Sequence, residues 1–236
     1  MTPHDTTNGL TLQGFTPPLR LADFKLIAFD MDSTLINIEC IDEIADAVGL
    51  KTEVAAITEA TMRGEIADFK TSLRRRVALL KGVSVHDMER VYAERLKLNP
   101  GATELVAACK KAGMKTLLVS GGFTFFADRA AERLGIDYAK SNELEIVNGV
   151  LTGGLINQSW GDICDGEEKR KTLLATCKLL GIKPSQSIAV GDGANDLLMM
   201  GAAGLSVAYQ AKPKVREQAM VAINEEGLDR LLEVLR

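Results

Sequence analysis

The fold is decided by residues 25–34, which read KLIAFDMDST, an apolar run that ends in acidic and hydroxyl side chains. A similar apolar run with a polar end recurs at residues 115–120, KTLLVS, and at residues 187–192, SIAVGD. Short apolar runs with polar C-terminal ends are typical of buried parallel strands. The chain is therefore expected to contain a parallel sheet whose strands end in polar side chains.

Helical patterns separate the three predicted strands. Strands that alternate with helices indicate a doubly wound, Rossmann-like α/β sheet. The alternation continues after Asp192 with two further short apolar runs, so the α/β fold is expected to reach the last residues of the sequence. The segments predicted to be helical are 100–112, 123–134, 167–180, 195–203, 214–218 and 227–235.

Residues 145–151, EIVNGVL, carry a different signal. Asn148 and Gly149 form a dipeptide that is typical of the two-residue turn of a β-hairpin. The segment therefore predicts a hairpin, which we expect to decorate the edge of the sheet.

Two segments interrupt the alternation of strands and helices. Residues 37–98 read as consecutive helices without a strand, which predicts a helical cap inserted into the α/β core. Residues 1–22 are rich in Thr, Pro, Gly and Asn and lack periodicity, so we expect a flexible N-terminal arm. The core domain is then formed by residues 23–36 and 99–236.

The composition bears on partners and location. A net charge of -4 gives no general attraction to nucleic acid or anionic lipid, and no apolar run approaches the length of a membrane span. The four cysteines form no C-x-x-C pair and are expected to be reduced thiols in a cytoplasmic protein. We expect a small-molecule substrate, no nucleic-acid or membrane partner, and a monomer or homodimer.

The polar strand ends predict a single site, because ligands of open α/β sheets bind outside the carboxyl ends of the strands. Asp30 and Asp32 lie two residues apart where the first strand turns into a loop, so both can face one pocket. A carboxylate attacks a phosphate dianion only with a cation beside it. Mg²⁺ prefers oxygen ligands, here Asp30, Asp192 and the main-chain carbonyl of Asp32. Asp196 is placed to orient a ligand water.

Two other interpretations of the first acidic motif are an Asp-rich turn and a calcium loop. The calcium loop requires an acid or amide and then a glycine at the positions of Thr34 and Leu35. The simple turn is disfavoured because an apolar strand delivers the acids and because residues 191–196, GDGAND, repeat the arrangement.

Ser120, Gly121 and Gly122 open a predicted helix and offer a hydroxyl and main-chain N–H groups to a phosphate oxygen. Taken alone, this sequence is equally compatible with an ordinary turn. Lys169 lies early in the helix before the third strand, where its ammonium can neutralise Asp30 and a phosphoryl group. A lysine in such a charged stretch is by default a solvated surface residue.

Taken together, residues 30–34, residues 120–122, Lys169 and residues 191–196 resemble, in order and spacing, the four motifs of the haloacid dehalogenase (HAD) superfamily. The resemblance extends from the first strand to the end of the chain. It implies a HAD-like α/β fold and a Mg²⁺-dependent phosphatase.

The resemblance also implies a role for each matching residue. Asp30 is the implied nucleophile, which becomes an aspartyl-phosphate. Asp32 is implied to protonate the leaving oxygen and later to deprotonate water. Asp192 completes the implied metal site, and Ser120 and Lys169 are counted with the catalytic residues. The residues implied to hold the phosphoryl group are Ser120, Gly121, Gly122, Lys169 and Asn195.

Two motifs narrow the resemblance to the superfamily members that hydrolyse O-phospho-L-serine: NIE, which ends at Glu39, and FKTSLRRRV, which begins at Phe69. This substrate carries an ammonium and a carboxylate, so a selective pocket needs one fixed anion and one fixed cation. Glu39 and Arg76 occupy the matching positions, and Met62 and Phe69 resemble the apolar wall that excludes water. Without the resemblance, Glu39 is interpreted as a helix cap and residues 74–76 as a solvated basic face. Met62 and Phe69 are then ordinary helix core.

The expected reaction is hydrolysis of O-phospho-L-serine to L-serine and phosphate, the last step of serine biosynthesis. The same chemistry can serve phosphothreonine, phosphohomoserine or a sugar phosphate, although a sugar phosphate needs no pair of Glu39 and Arg76. A phosphotransferase or mutase, which returns phosphate to an alcohol, stays open as well. A non-catalytic phosphate-binding or metal-binding module is opposed by the presence of both Asp30 and Asp32.

Overall fold

A computed structural model describes residues 4–6 and 9–236 and has the predicted α/β architecture. Within this part of the chain, the strands are β1 His4–Thr6, β2 Leu10–Leu12, β3 Leu26–Phe29, β4 Lys115–Phe123, β5 Tyr138–Val147, β6 Val150–Ile156, β7 Ser187–Gly191, β8 Leu205–Tyr209 and β9 Val221–Ile223. The α-helices are α1 Cys40–Ala47, α2 Lys51–Met62, α3 Phe69–Leu79, α4 Val85–Glu94, α5 Ala102–Lys111, α6 Thr124–Leu134, α7 Gly166–Leu179, α8 Leu197–Ala202 and α9 Pro213–Gln218.

The strands form one sheet in the order β1-β2-β9-β8-β7-β3-β4-β5-β6. Strands β9 to β5 of this order run parallel, whereas β2 and β6 pair antiparallel with their neighbours. In β3, Ile27 and Phe29 join a hydrophobic cluster with α5 and α6, and Leu26 and Ala28 join another with α7 and α8. Helices therefore cover both faces of the sheet, and the predicted fold class is confirmed.

The N-terminal segment differs from the predicted flexible arm. β2 pairs antiparallel with β9, and the side chains of Leu10 and Leu12 are buried. The main-chain N–H of Leu19 donates to the carbonyl of Val234 at 2.9 Å. The prediction of a flexible arm is wrong for these residues, because the alternating leucines of a three-residue strand were too few to show periodicity. Residues 1–3, 7 and 8 lie outside the described residues.

The cap segment, residues 37–98, contains α1 to α4 and no strand, as the sequence predicted. Its two ends lie side by side at the sheet. Ile36 and Leu98 form an isolated antiparallel bridge, and the N–H of Asn37 donates to the carbonyl of Lys97 at 3.0 Å. The chain thus enters and leaves this segment through adjacent crossings.

The predicted hairpin is formed by β5 and β6, and both turn residues, Asn148 and Gly149, have positive φ as a two-residue hairpin turn requires. The hairpin does more than decorate the sheet edge. The N–H of Gly82 donates to the carbonyl of Leu151 and the N–H of Leu151 to the carbonyl of Val83, both at 2.8 Å. These bonds attach the hairpin to the loop between α3 and α4 of the cap segment.

The last predicted α-helix, residues 227–235, is instead a 3-10 helix over Leu228–Glu233. Leu228, Leu231 and Val234 are buried. Their spacing of three residues matches the three-residue turn of a 3-10 helix, which places them on one face. The short apolar spacing was therefore misread as the last turn of an α-helix.

Two further observations concern the cysteines and the length of the helices. Cys40, Cys109, Cys164 and Cys177 are all buried and free. Among the helices of the described residues, none combines the length and the apolar character needed to cross a bilayer.

Candidate active site

A cavity of about 860 Å³ lies at the carboxyl ends of three parallel strands. Asp30 follows β3, Ser120 lies within β4 and Asp192 follows β7, so the polar strand ends converge as the sequence predicted. The predicted site residues that line the cavity are Asp30, Asp32, Glu39, Phe69, Arg76, Ser120, Gly121, Gly122, Asp192 and Asn195.

The turn over Met31–Leu35 fixes the acids of the first motif. The main-chain N–H of Met31 donates to Oδ1 of Asp30 at 2.7 Å. Ser33 has a φ of 56°, in the left-handed region that residues other than glycine seldom occupy. This reversal brings the Ser33 hydroxyl to Glu39, whose Oε1 accepts its hydrogen bond at 2.7 Å. The motif therefore links the end of β3 to the start of the cap segment.

Lys169 is fully buried and joins two carboxylates. Its Nζ lies 2.7 Å from Oδ1 of Asp30 and 2.7 Å from Oδ1 of Asp196. Burial alone would lower the pKa of Lys169, but the two carboxylates outweigh it and raise this pKa. Lys169 lies near the start of α7, where Asp165 caps the helix by accepting from the N–H of Glu168 at 2.9 Å. Lys169 is thus not a solvated surface lysine.

Asp30, Asp192 and Asp196 form an acidic cluster in which one oxygen of each lies within 4.8 Å of the others. Oδ1 of Asp196 pairs with Lys169, and its Oδ2 accepts from the N–H groups of Asp192 and Gly193 at 3.2 and 3.0 Å. Burial and Asp196 raise the pKa of Asp192 to about 7 and hold the pKa of Asp30 well above its usual range. Three carboxylates around one ammonium lack positive charge, so the cluster fits a metal ion that prefers oxygen ligands.

Asp32 faces the same cavity in a different electrostatic environment. Burial and the neighbouring Glu39 raise the pKa of Asp32 to about 8. Its Oδ1 is buried and has no hydrogen-bond partner in the described part of the chain. Its surroundings therefore favour the protonated form of Asp32 when no metal is bound.

The main chain from Ser120 to Gly122 forms a compact corner under the cap segment. The N–H of Gly122 donates to Oγ of Ser120 at 2.9 Å, and Nδ2 of Asn142 donates to the carbonyl of Gly121 at 2.7 Å. A Cβ atom at Gly121 would lie 3.0 Å from Cζ of Phe69. A side chain at Gly121 would therefore have to displace Phe69, because the cap segment packs directly on the corner.

The cap segment supplies the opposite wall of the cavity through Glu39, Asp42, Phe69 and Arg76. Nε of Arg76 and Oδ1 of Asp42 are buried and have no hydrogen-bond partner among the described residues. Burial lowers the pKa of Arg76 although Asp42 and Glu39 oppose the change. A guanidinium with an unused buried N–H is suited to bind a carboxylate.

Met62 does not occupy the predicted place in the apolar wall. It is the last residue of α2, its side chain is 74% exposed, and it does not line the cavity. Val54 is the buried residue of α2, and the hydroxyl of Thr61, beside Met62, donates to Oγ of Ser72 on α3 at 2.7 Å, so α2 packs through a face that does not include Met62. The prediction for Met62 is wrong in this conformation, whereas Phe69 lies where it was expected.

Sequence reasoning missed three residues of the site. The hydroxyl of Thr34 donates to Oδ1 of Asp192 at 3.0 Å, and the first motif already contained Thr34 as a signal. Asp42 follows Glu39 by three residues, and this helical spacing could have placed both on one face. Asn142 had no local signal, because its partner Gly121 lies on another strand.

Comparison with known proteins agrees with this geometry. The family of haloacid dehalogenase-like hydrolases matches residues 24–204. The chain therefore belongs to the haloacid dehalogenase-like hydrolases.

Within this family, its relatives carry a more specific name. The chain is 71% identical over 236 residues to a phosphoserine phosphatase of Polaromonas sp. and 70% identical to one of Albidiferax ferrireducens, with both chains of each pair fully covered. A solved structure of a phospho-aspartyl intermediate analogue of phosphoserine phosphatase has a TM-score of 0.82 and 39% identity, covering 90% of this chain and 99% of that one. The chain falls among the phosphoserine phosphatases, and the resemblance inferred from the motifs is confirmed.

Proposed function

We propose that this chain hydrolyses O-phospho-L-serine to L-serine and phosphate through an aspartyl-phosphate on Asp30, as the last step of serine biosynthesis. The observation that carries the proposal is the division of one cavity. One end holds Asp30, Asp32 and Ser120 for phosphate chemistry, and the other end holds Glu39 and Arg76, one anion and one cation. A phosphate that also bears an ammonium and a carboxylate matches both ends.

The domain boundaries follow from the same division. We assign residues 23–36 and 99–236 to a core domain that carries the chemistry. We assign the cap segment to substrate recognition. The adjacent crossings at Ile36 and Leu98 support this division.

In the first step, Asp30 attacks the phosphorus atom and the bond to the serine oxygen breaks. Asp30, Asp192 and the main-chain carbonyl of Asp32 would hold Mg²⁺, which would supply positive charge to offset the repulsion between carboxylate and phosphate. Oδ1 of Asp30 is held by Lys169 and by the N–H of Met31, which orients the carboxylate. Asp32 gives its proton to the departing serine oxygen.

In the second step, Asp32 is ionised and accepts a proton from a water molecule that attacks the phosphorus of the aspartyl-phosphate. This attack releases inorganic phosphate and restores Asp30 as a carboxylate and Asp32 as an acid. The equatorial oxygens of the phosphoryl group are stabilised in both steps by Ser120, by Lys169 and by main-chain N–H groups of residues 120–122. Asn195 lines the same part of the cavity.

Recognition of serine is assigned to the cap segment. Glu39 receives the ammonium of the substrate, and Arg76 receives its carboxylate through the fork of N–H donors. Phe69 closes the cavity over Gly121 and excludes water. Phosphothreonine and phosphohomoserine can use the same two charges and differ only in the space near the β-carbon.

A phosphate-release assay tests the proposal. Phosphoserine, phosphothreonine, phosphohomoserine and several sugar phosphates are compared with Mg²⁺ and then with a chelator. We expect the highest kcat/KM for phosphoserine and no turnover with the chelator. A sugar phosphate as the best substrate would contradict the proposal, and transfer of phosphate to an added alcohol in preference to water would favour a phosphotransferase.

The proposed setting is a reducing cytoplasm. The four buried free cysteines support it, because disulfides are rare in such a compartment.

A further inference from the structure

Helix α3 of the cap segment is joined to the loop before α7 by a group of ion pairs far apart in sequence. Nζ of Lys70 lies 3.0 Å from Oδ1 of Asp162, and Arg74 donates to the other oxygen of the same carboxylate. Lys70 also lies 3.6 Å from Oδ2 of Asp165. Two cations of one helix thus converge on Asp162.

We propose that Asp162 is a positioning residue that holds α3 over the phosphate site and thereby sets the place of Phe69 and Arg76. The inference rests on the proposed function, since it assigns Arg76 to the substrate carboxylate. Asp162 itself touches no reacting atom and is not a catalytic residue.

The order of residues on α3 supports this role. Lys70 directly follows Phe69, and Arg74 precedes Arg76 by two residues, so both ion-pair residues lie between the two cavity residues. A helix fixed at Lys70 and Arg74 cannot move Phe69 away from Gly121 without breaking contacts to Asp162. The Phe69 ring and the ion pairs therefore hold the same end of α3.

The other side of the contact is anchored in the core. The N–H of Ile163 donates to Oδ1 of Asp162 at 2.8 Å, which restricts the carboxylate. Three residues later, Asp165 caps α7, the helix that carries Lys169. Hydrogen bonds from Lys70 and Arg74 lower the pKa of Asp162 to about 2, so Asp162 is ionised wherever the enzyme works. Asp162 therefore connects α3 to the element that fixes Lys169.

Most exposed ion pairs contribute little to stability. The pair of Arg63 and Glu65 is of this kind: its atoms lie 2.6 Å apart, both side chains are largely exposed, and both belong to the cap segment. The Asp162 group differs because it joins the cap segment to the core. Glu65 is therefore a matched control, since its removal deletes an ion pair without affecting the connection.

The test compares Asp162→Asn with Glu65→Gln in the full chain with Mg²⁺, using phosphoserine and nitrophenyl phosphate as substrates. For Asp162→Asn we expect KM for phosphoserine to rise roughly three- to tenfold, the effect of one or two partly exposed ion pairs. KM for nitrophenyl phosphate should change less, because this substrate lacks the carboxylate that Arg76 binds. Asp162→Glu should restore part of the loss.

Salt gives a second readout. Added KCl should raise KM for phosphoserine in the wild type and in Glu65→Gln, and should have a smaller effect in Asp162→Asn, because exposed ion pairs are screened by salt. An equal loss for both substrates, or an Asp162→Asn enzyme that matches Glu65→Gln, would overturn the proposal.

A third measurement needs no turnover. Hydrogen exchange in α3 should be faster in Asp162→Asn than in Glu65→Gln, with unchanged exchange in β3 and β7. Unaltered exchange in α3 overturns the positioning role even if phosphoserine is hydrolysed. Absence of phosphoserine turnover in the wild type would refute the proposed function alone.

Discussion

The two ends of the cavity are built in opposite ways. At the sheet end, Lys169 and Asp196 have no exposed surface, and the ammonium contacts two carboxylates at 2.7 Å. At the cap end, Nε of Arg76 and Oδ1 of Asp42 are buried without a hydrogen-bond partner among the described residues, and Glu39 is exposed. At the sheet end, most polar groups pair within the protein and Oδ1 of Asp32 is the exception, whereas the cap end leaves buried atoms of both Arg76 and Asp42 without a partner among the described residues.

This difference has a physical basis. Groups that stabilise a transition state act best when they are already oriented, because no reorganisation is then needed during the reaction. Groups that select a substrate act best when the wrong substrate leaves them unpaired, because an unpaired buried polar group is costly. Changes at the sheet end should therefore affect every phosphomonoester, and changes at the cap end only amino-acid phosphates.

Removal of the nucleophile should have the largest effect. Asp30→Asn should lower kcat for phosphoserine and for nitrophenyl phosphate by on the order of 10⁴-fold or more, because an amide cannot form the acyl phosphate. Phosphate release measures both rates, and a retained circular-dichroism spectrum controls for folding. Beryllofluoride with Mg²⁺ should raise the melting temperature of the wild type but not of this variant. Substantial turnover in Asp30→Asn would end the aspartyl-phosphate mechanism.

Asp32→Asn should separate the two steps at the sheet end. Serine is a poor leaving group and needs the proton, so phosphoserine hydrolysis should fall by about 10²- to 10⁴-fold. Nitrophenolate leaves without a proton, so nitrophenyl phosphate should give a rapid burst approaching one equivalent per enzyme and then a slow steady rate. Stopped-flow absorbance measures the burst. If no burst appears and rapid quench finds no phosphorylated Asp30, Asp32 serves to organise the metal site.

The cap end is tested by Arg76→Ala with Arg75→Ala as its control, an exposed arginine on the same helix. Loss of a desolvated charge contact should cost about 2 to 5 kcal/mol in kcat/KM for phosphoserine. Nitrophenyl phosphate should be affected much less, and Arg75→Ala should behave as wild type. A similar loss with both substrates would show that Arg76 is structural or binds the phosphate.

The smallest expected effect is the response of stability to pH without metal. The pKa of Asp192 is raised to about 7, so the folded state holds a proton that the unfolded state releases near pH 4. The contribution of Asp192 to the free energy of unfolding is therefore largest below pH 4 and falls as the pH rises towards 7. With a chelator, the free energy of unfolding should drop by on the order of 2 kcal/mol between pH 4 and 7.

Urea titrations at several pH values measure this slope, and Asp192→Asn should reduce it. Asp32, with a pKa raised to about 8, adds to the fall over the same range and continues it to about pH 8. Mg²⁺ should reduce the slope in the wild type, because the cation favours the ionised carboxylates. A slope that is identical in Asp192→Asn and wild type would place the titrating group elsewhere.

The sequence predicted the sheet end well because local signals defined it. Asp30 and Asp192 follow apolar strands, and parallel strands bring their carboxyl ends together without any knowledge of side-chain contacts. Lys169 was different, since its charged surroundings suggested a surface residue and the superfamily resemblance alone indicated the site. Its burial depends on Asp30 and Asp196, which are distant in sequence.

The cap end was predicted less completely. Arg76 and Phe69 were found through a motif, but Met62 was misplaced because the weakly amphipathic sequence of α2 does not say which face of the helix packs. Asp42 was overlooked, although it lies on α1 close to Glu39. Contacts across the cap segment are set by tertiary packing, and a single sequence contains little information on them.

The attachment of the hairpin of β5 and β6 restricts the rotation of the cap segment relative to the sheet. Besides the crossings at Ile36 and Leu98, it is held at Gly82 and Val83, and a Cβ atom at Gly153 of β6 would lie 3.1 Å from the carbonyl of Ala78. Two separated attachments define an axis, and rotation about that axis is the freest motion. The C-terminal end of α3 lies beside the attachment at Gly82 and Val83, so we expect this end to move least. Access to the cavity is then expected to depend on the Phe69 end of α3, which is the end that the ion pairs to Asp162 restrain.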